Sequence, residues 1–117
     1  VPVNKVDEFI KFTHTLSDGL GIRIPSFGHA GDGNLHVYVC RDGLDDGKWQ
    51  SLLREVFDRM YERAEELGGL VSGEHGIGFA KKEYLKHQYG EYPIALMQGI
   101  KQVFDKKNIL NPGKICY

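Results

Sequence analysis

Between Gly47 and Leu67 the apolar residues recur at steps of three and four: Trp49, Leu52, Leu53, Val56, Phe57, Met60, Tyr61, Ala64 and Leu67. That spacing predicts an amphipathic helix with a broad apolar stripe, ended by Gly68-Gly69. Such a helix holds only when its stripe is covered. The rest of the chain must therefore supply a matching apolar face.

Two further segments carry helical spacing. From Asn4 to about Leu20, Val6, Phe9, Ile10, Thr13 and Leu16 share one side, and Gly19 and Gly21 stop the run. Pro93 is expected to open a last helix, with Ile94, Met97, Ile100, Val103 and Phe104 inward and Lys101, Lys106 and Lys107 complementing its C-terminal dipole. "FAKKEYL" reads as a short helix before it.

The strands are shorter. "GIRIPSFG", residues 21–28, and "LHVYVCR", residues 35–41, are rich in β-formers, and Gly-Asp-Gly-Asn between them makes a hairpin. Leu70-Val71-Ser72 reads as a third short strand leading into "GEHGIG". The order predicts an α+β fold, a small antiparallel sheet with helices on one face, like a split βαβ unit missing its first strand.

The chain's 117 residues suffice for one compact domain, and no linker divides it. Its 15 basic and 16 acidic residues are interspersed, with no block of like charge to bind nucleic acid or a membrane surface. No apolar run approaches the roughly 20 residues of a membrane span. Cys40 and Cys116 lack CxxC spacing and read as free thiols in a reducing, cytoplasmic setting. The opening Val1-Pro2-Val3, running almost at once into helical periodicity, reads as a piece of a longer polypeptide.

The chemistry concentrates around the hairpin. Side chains alternate along a strand, so Asn34, His36 and Tyr38 project to one side, while His29 stands at the other shoulder of the same turn. Closure of the turn brings both imidazoles within reach of one ion, and imidazole is the commonest ligand for first-row divalent metals. Glu74, in "SGEHGIG", is the best carboxylate to complete the set, leaving a coordination position open. His75 beside it is a natural general base near neutral pH. Alone, the histidine pair is a weak signal in a chain with five histidines, and a plain hairpin turn accounts for "GDGN" equally well.

Three separated segments taken together say more: "FGHAGDGNLH" at 27–36, "GGLVSGEHGIGFAKKEYL" at 68–85 and "MQGIKQVFDKKNILNPGKI" at 97–115. In content, order and spacing the chain resembles the C-terminal part of FAD-linked oxidases of the vanillyl-alcohol-oxidase type. The likeness is closest to the branch with glycolate oxidase, D-lactate dehydrogenase and D-2-hydroxyglutarate dehydrogenase. The resemblance implies that residues 1–117 are the last portion of a ferredoxin-like cap domain, with the FAD-binding domain absent from this chain.

It further implies a divalent ion, commonly zinc, held by His29, His36 and Glu74, with His75 taking the substrate hydroxyl proton. Asn111, in "ILNPGK", would lie near the flavin; Asn34 and Tyr38 would meet the substrate, a small D-2-hydroxy acid. Tyr38 departs from the Asn carried there by several family members, so the substrate stays open. FAD is implied by the likeness alone, because neither glycine-rich segment has GxGxxG or Walker spacing. Other expected partners are the missing FAD-binding domain and a second copy of the chain, with peripheral membrane contact only through partner subunits. Two rival readings remain: a non-catalytic α+β dimerisation module, and a metal-dependent hydrolase using zinc-bound water.

Overall fold

The computed structural model describes residues 1–116. Among them are four α-helices and a two-stranded antiparallel sheet, an α+β arrangement. The chain divides into two compact units, Val1–Gly73 and the stretch from Glu74 onward.

In the first unit a 3₁₀ turn, Val3–Lys5, leads into helix α1, Val6–Leu20. Val6, Phe9, Thr13 and Leu16 are its buried face, as their spacing predicts. Thr13 tolerates burial because its Oγ1 donates to the Ile10 carbonyl at 2.8 Å. Gly21, at φ 64°, ends the helix, and its amide and that of Ile22 both turn back to the Ser17 carbonyl.

Helix α2, Asp46–Glu66, starts at Asp45, whose carboxylate accepts the Lys48 amide at 3.0 Å. Its stripe packs on α1: Val56 is fully buried and Met60 nearly so, in one cluster with Phe9, Leu16, Ile22, Ile24 and Leu67. Arg63 of α2 pairs with Glu8 of α1 across the rim.

The hairpin consists of β1, Ser26–His29, and β2, Asn34–Val37, in the register Ser26↔Val37, Phe27↔His36, Gly28↔Leu35 and His29↔Asn34. Both strands are shorter than expected. Pro25 has no amide to donate, so beyond it the pairing continues only as single bonds, Tyr38 N–H to Pro25 O and Cys40 N–H to Arg23 O, each 2.9 Å. Leu35, Val37 and Val39 point to the helical core, so α1 and α2 cover one face of the ribbon.

Leu70-Val71-Ser72 does not form the expected strand. Val71 is buried as an anchor while Leu70 stays exposed. Three residues held between Gly68-Gly69 and Gly73 are too few and too flexible at both ends to sustain a ladder.

The second unit holds α3, Lys82–Tyr89, and α4, Glu91–Phe104. Helix α3 begins later than "FAKKEYL" suggested, because residues 78–81 form a turn in which exposed Phe79 is flanked by the ammonium groups of Lys82 and Lys114 at 4.7 and 5.5 Å from its ring centre. Pro93 lies in the first turn of α4 rather than opening it, a place where its missing amide costs no helical bond.

Helix α4 also stops short of Lys106 and Lys107. Asp105 leaves helical geometry and turns its carboxylate onto the amides of Ile109 and Leu110, at 3.0 and 2.9 Å, while Lys101 donates to the same carboxylate. These hydrogen bonds, that from Lys101 foremost, hold the Asp105 carboxyl below the usual carboxylate range.

Only part of the expected inner face of α4 is covered. Ile94 and Met97 pack with Leu85 and Cys116, whereas Ile100, Val103 and Phe104 stay exposed with Ile109 and Leu110 of the tail. The stripe is wider than this small unit can bury. Cys40 and Cys116 are both free thiols. No helix among the described residues is long and apolar enough to cross a membrane.

Candidate functional site

The hairpin has two faces with different work. One carries Leu35 and Val37 into the core. By alternation and register the other carries Phe27 and His29 from β1 with Asn34 and His36 from β2, and Tyr38, just past the end of β2, stacks on Phe27. His29 stands at the other shoulder of the turn, as expected, and shares a face with His36. Their rings meet nearly edge-on, centroids 6.1 Å apart at 76°.

A 3₁₀ turn, Ala30–Asp32, and Gly33 at φ 68° reverse the chain between the two histidines. Residue 33 must lack a side chain there, because a β-carbon would overlap the Val1 carbonyl oxygen. The Val1 backbone nitrogen also donates to the Gly33 carbonyl at 2.9 Å, so the segment that leads into α1 braces the turn.

Gly73 is the second close approach. A β-carbon on it would overlap the carboxamide oxygen of Asn34 and stand 2.7 Å from its carbon. The backbone at the end of the first unit therefore runs directly against β2, and Glu74 is the next residue along.

One ligand atom each from His29, His36 and Glu74 lies within 4.8 Å of the other two. Two imidazole nitrogens and a carboxylate oxygen are a donor set that suits zinc and neighbouring first-row metals. With metal–ligand bonds of about 2.0 Å, tetrahedral ligand atoms stand roughly 3.3 Å apart. To hold such an ion the set would have to draw in by up to about 1.5 Å, within the reach of side-chain rotation.

His75 stands beside the same carboxylate, its Nε2 3.6 Å from Glu74 Oε1, and both side chains are exposed. Asn111 sits in the left-handed region at φ 46° on the exposed tail of the second unit, a conformation that asparagine tolerates well. Among these residues the structure gathers His29, His36 and Glu74 into one group, places Asn34 on the face of His36 with Tyr38 stacked on Phe27 at the same side, and keeps His75 beside Glu74.

Two participants escape a reading of the sequence. Phe27 lies opposite His36 with its ring stacked at 5.2 Å and 22°, and also stacks on Tyr38 at 5.4 Å and 14°. Alternation with His29 along β1 was the signal that pointed to it. Gly73 carried no local signal, since its contact with Asn34 spans 39 residues of sequence.

An α+β chain with this glycine-braced histidine hairpin matches a known family over residues 1–115: FAD linked oxidases, C-terminal domain. The chain belongs to that family. Over 117 residues it is 47% identical to a D-lactate dehydrogenase of Anaerostipes hadrus, covering all of this chain and 25% of that protein. It is 37% identical over 115 residues to the glycolate oxidase component GlcD of Bacillus subtilis, covering 98% of this chain and 24% of the relative. A D-2-hydroxyglutarate dehydrogenase of Stutzerimonas stutzeri is 35% identical over 121 residues, with 98% and 25% covered. The chain spans about a quarter of the length of these curated relatives.

Proposed function

We propose that this chain is the metal-holding, proton-accepting portion of an FAD-dependent dehydrogenase of a small D-2-hydroxy acid, of the glycolate or D-lactate type. The observation that carries the reading is the convergence of His29, His36 and Glu74 on one side of the hairpin. The names of the relatives supply the reaction class, oxidation of a 2-hydroxy acid to the 2-oxo acid.

In this reading His29, His36 and Glu74 hold a divalent ion, zinc by the chemistry of the donors. A bound ion of this kind supplies Lewis acidity toward a substrate hydroxyl and positive charge for a carboxylate. His75 Nε2 accepts the hydroxyl proton, and the Glu74 carboxylate 3.6 Å away stabilises the imidazolium that forms. Asn34 of β2 and Tyr38 just beyond it, on the hairpin face that carries the histidines, contact the substrate.

The flavin supplies the hydride acceptor when bound. Neither glycine-rich segment has the spacing of a nucleotide cradle, and Asn111 is the residue proposed to approach the flavin. The flavin-binding part of a longer polypeptide is the proposed partner, covering the apolar strip of Ile100, Val103, Phe104, Ile109 and Leu110. The free cysteines fit a reducing compartment such as the cytoplasm.

Elemental analysis of the purified chain before and after addition of zinc or manganese tests the reading. About one ion per chain, lost in Glu74→Gln, is the expected result. A chain that takes up no ion, or a variant that binds as well as the parent, overturns it.

A further inference from the structure

We infer that Phe27 is a positioning residue for His36, and that its ring sets the orientation in which that imidazole meets a metal ion. The inference rests on the metal reading above and adds a residue to it.

Phe27 is 60% exposed and lies on the hairpin face turned away from the core. Burial does not explain an aromatic ring there. What the ring does touch is specific: His36 directly across the ribbon and Tyr38 diagonally, both in stacked geometry. His29 meets His36 edge-on. The four rings form a row, His29, His36, Phe27, Tyr38, with the imidazole of His36 held between an edge on one side and a flat face on the other.

An imidazole on an open strand face turns about two side-chain bonds, among three staggered settings of the first and a broad two-fold range of the second. Only some of these settings point a nitrogen at the ion. A flat ring stacked on one face removes the settings that would sweep through it, so His36 is presented in advance and less freedom is lost on binding. A leucine of similar bulk would keep the apolar contact and lose the flat face. Tyrosine would keep both.

The test uses the 117-residue chain as it stands, in parent form and as Phe27→Leu and Phe27→Tyr, with zinc as the probe. Two quantities are read: the zinc dissociation constant by competition titration, and the shifts of the His36 ring protons in the metal-free chain by nuclear magnetic resonance. Residues that orient metal ligands from outside the coordination sphere carry about 10–100-fold in affinity. Phe27→Leu is expected to weaken zinc binding at least about tenfold at unchanged helical circular dichroism, and Phe27→Tyr to restore it. In the metal-free chain the His36 ring protons should lose their stacking-induced upfield shift in the leucine variant and regain it in the tyrosine variant.

Equal zinc affinity in parent and Phe27→Leu overturns the inference while leaving the metal site standing. So does a tyrosine variant as weak as the leucine one. A parent chain that binds no zinc overturns the metal reading, and with it the purpose assigned to Phe27. The ring-proton shifts still separate the two cases, since unchanged shifts in Phe27→Leu also remove its hold on His36.

Discussion

Asn34 lies so closely over Gly73 that a β-carbon on residue 73 would stand 2.7 Å from the Asn34 carboxamide carbon. This contact sets where the backbone emerges next to β2, and therefore where Glu74 begins. A side chain at position 73 must displace either the asparagine or the backbone leading to Glu74. Gly73→Ala is expected to weaken zinc binding about tenfold, with part of the loss recovered in the double variant carrying Asn34→Ala. Calorimetric titration of the four members of the cycle measures it, and strictly additive effects would remove the contact from any role in placing Glu74.

His36→Ala should abolish stoichiometric divalent-metal binding and leave the helical content intact, because His36 lies on the ribbon face opposite the core. The parent chain at zinc one hundred times above its dissociation constant should gain about 2.7 kcal/mol of stability. Thermal unfolding with and without zinc reads both: a His36→Ala midpoint that rises with zinc as far as the parent's counts against the shared site.

His75→Ala in a full-length flavoenzyme containing this sequence should lower turnover by about 10²- to 10⁴-fold, the usual reach of general base catalysis, and change metal occupancy little. Steady-state kinetics beside elemental analysis separates the two effects. Turnover equal to the parent's would take the base role away from His75.

The acid limb of stability should depend on Asp105. Its carboxyl is held below the ordinary range by the Lys101 hydrogen bond and then by the Leu110 and Ile109 amides. A group depressed on folding contributes stability that is fully present above the unfolded carboxylate value, about 3.9, and is lost as pH falls through the lower folded value. Unfolding midpoints recorded from pH 5 downward should therefore fall in the parent, and fall less steeply in Asp105→Asn. The variant should also be less stable at pH 7, because its neutral amide makes a weaker partner for the Lys101 ammonium.

Leu16 is 2% exposed at the centre of the α1–α2 core. Leu16→Ala should cost about 2–5 kcal/mol through lost burial and the cavity left behind. Denaturant unfolding measures it, and a loss under about 1 kcal/mol would mean that the surrounding side chains collapse into the space.

What the chain's own order of residues determined is local. Three- and four-residue spacing laid down α1 and α2 with their buried faces, and two-residue alternation put Asn34 and His36 of β2, and Tyr38 just beyond it, on one side of the hairpin. Both periodicities are properties of contiguous backbone and need no distant partner. The family blocks around His29, His36, Glu74 and His75 were legible for the same reason: they are short and uninterrupted.

Tertiary structure decided the rest. Register placed Phe27 across from His36 and turned His29 to the ligand face, and a one-residue slip would have sent each to the other side. The failure of Leu70-Val71-Ser72 to become a strand, and the end of α4 at Phe104 where Asp105 captures the Ile109 and Leu110 amides, depended on which partners the fold offered. Gly73 against Asn34 is the clearest case: 39 residues apart in sequence, they meet only because the α1–α2 core closes the chain between them, and no local pattern encodes a contact that distant.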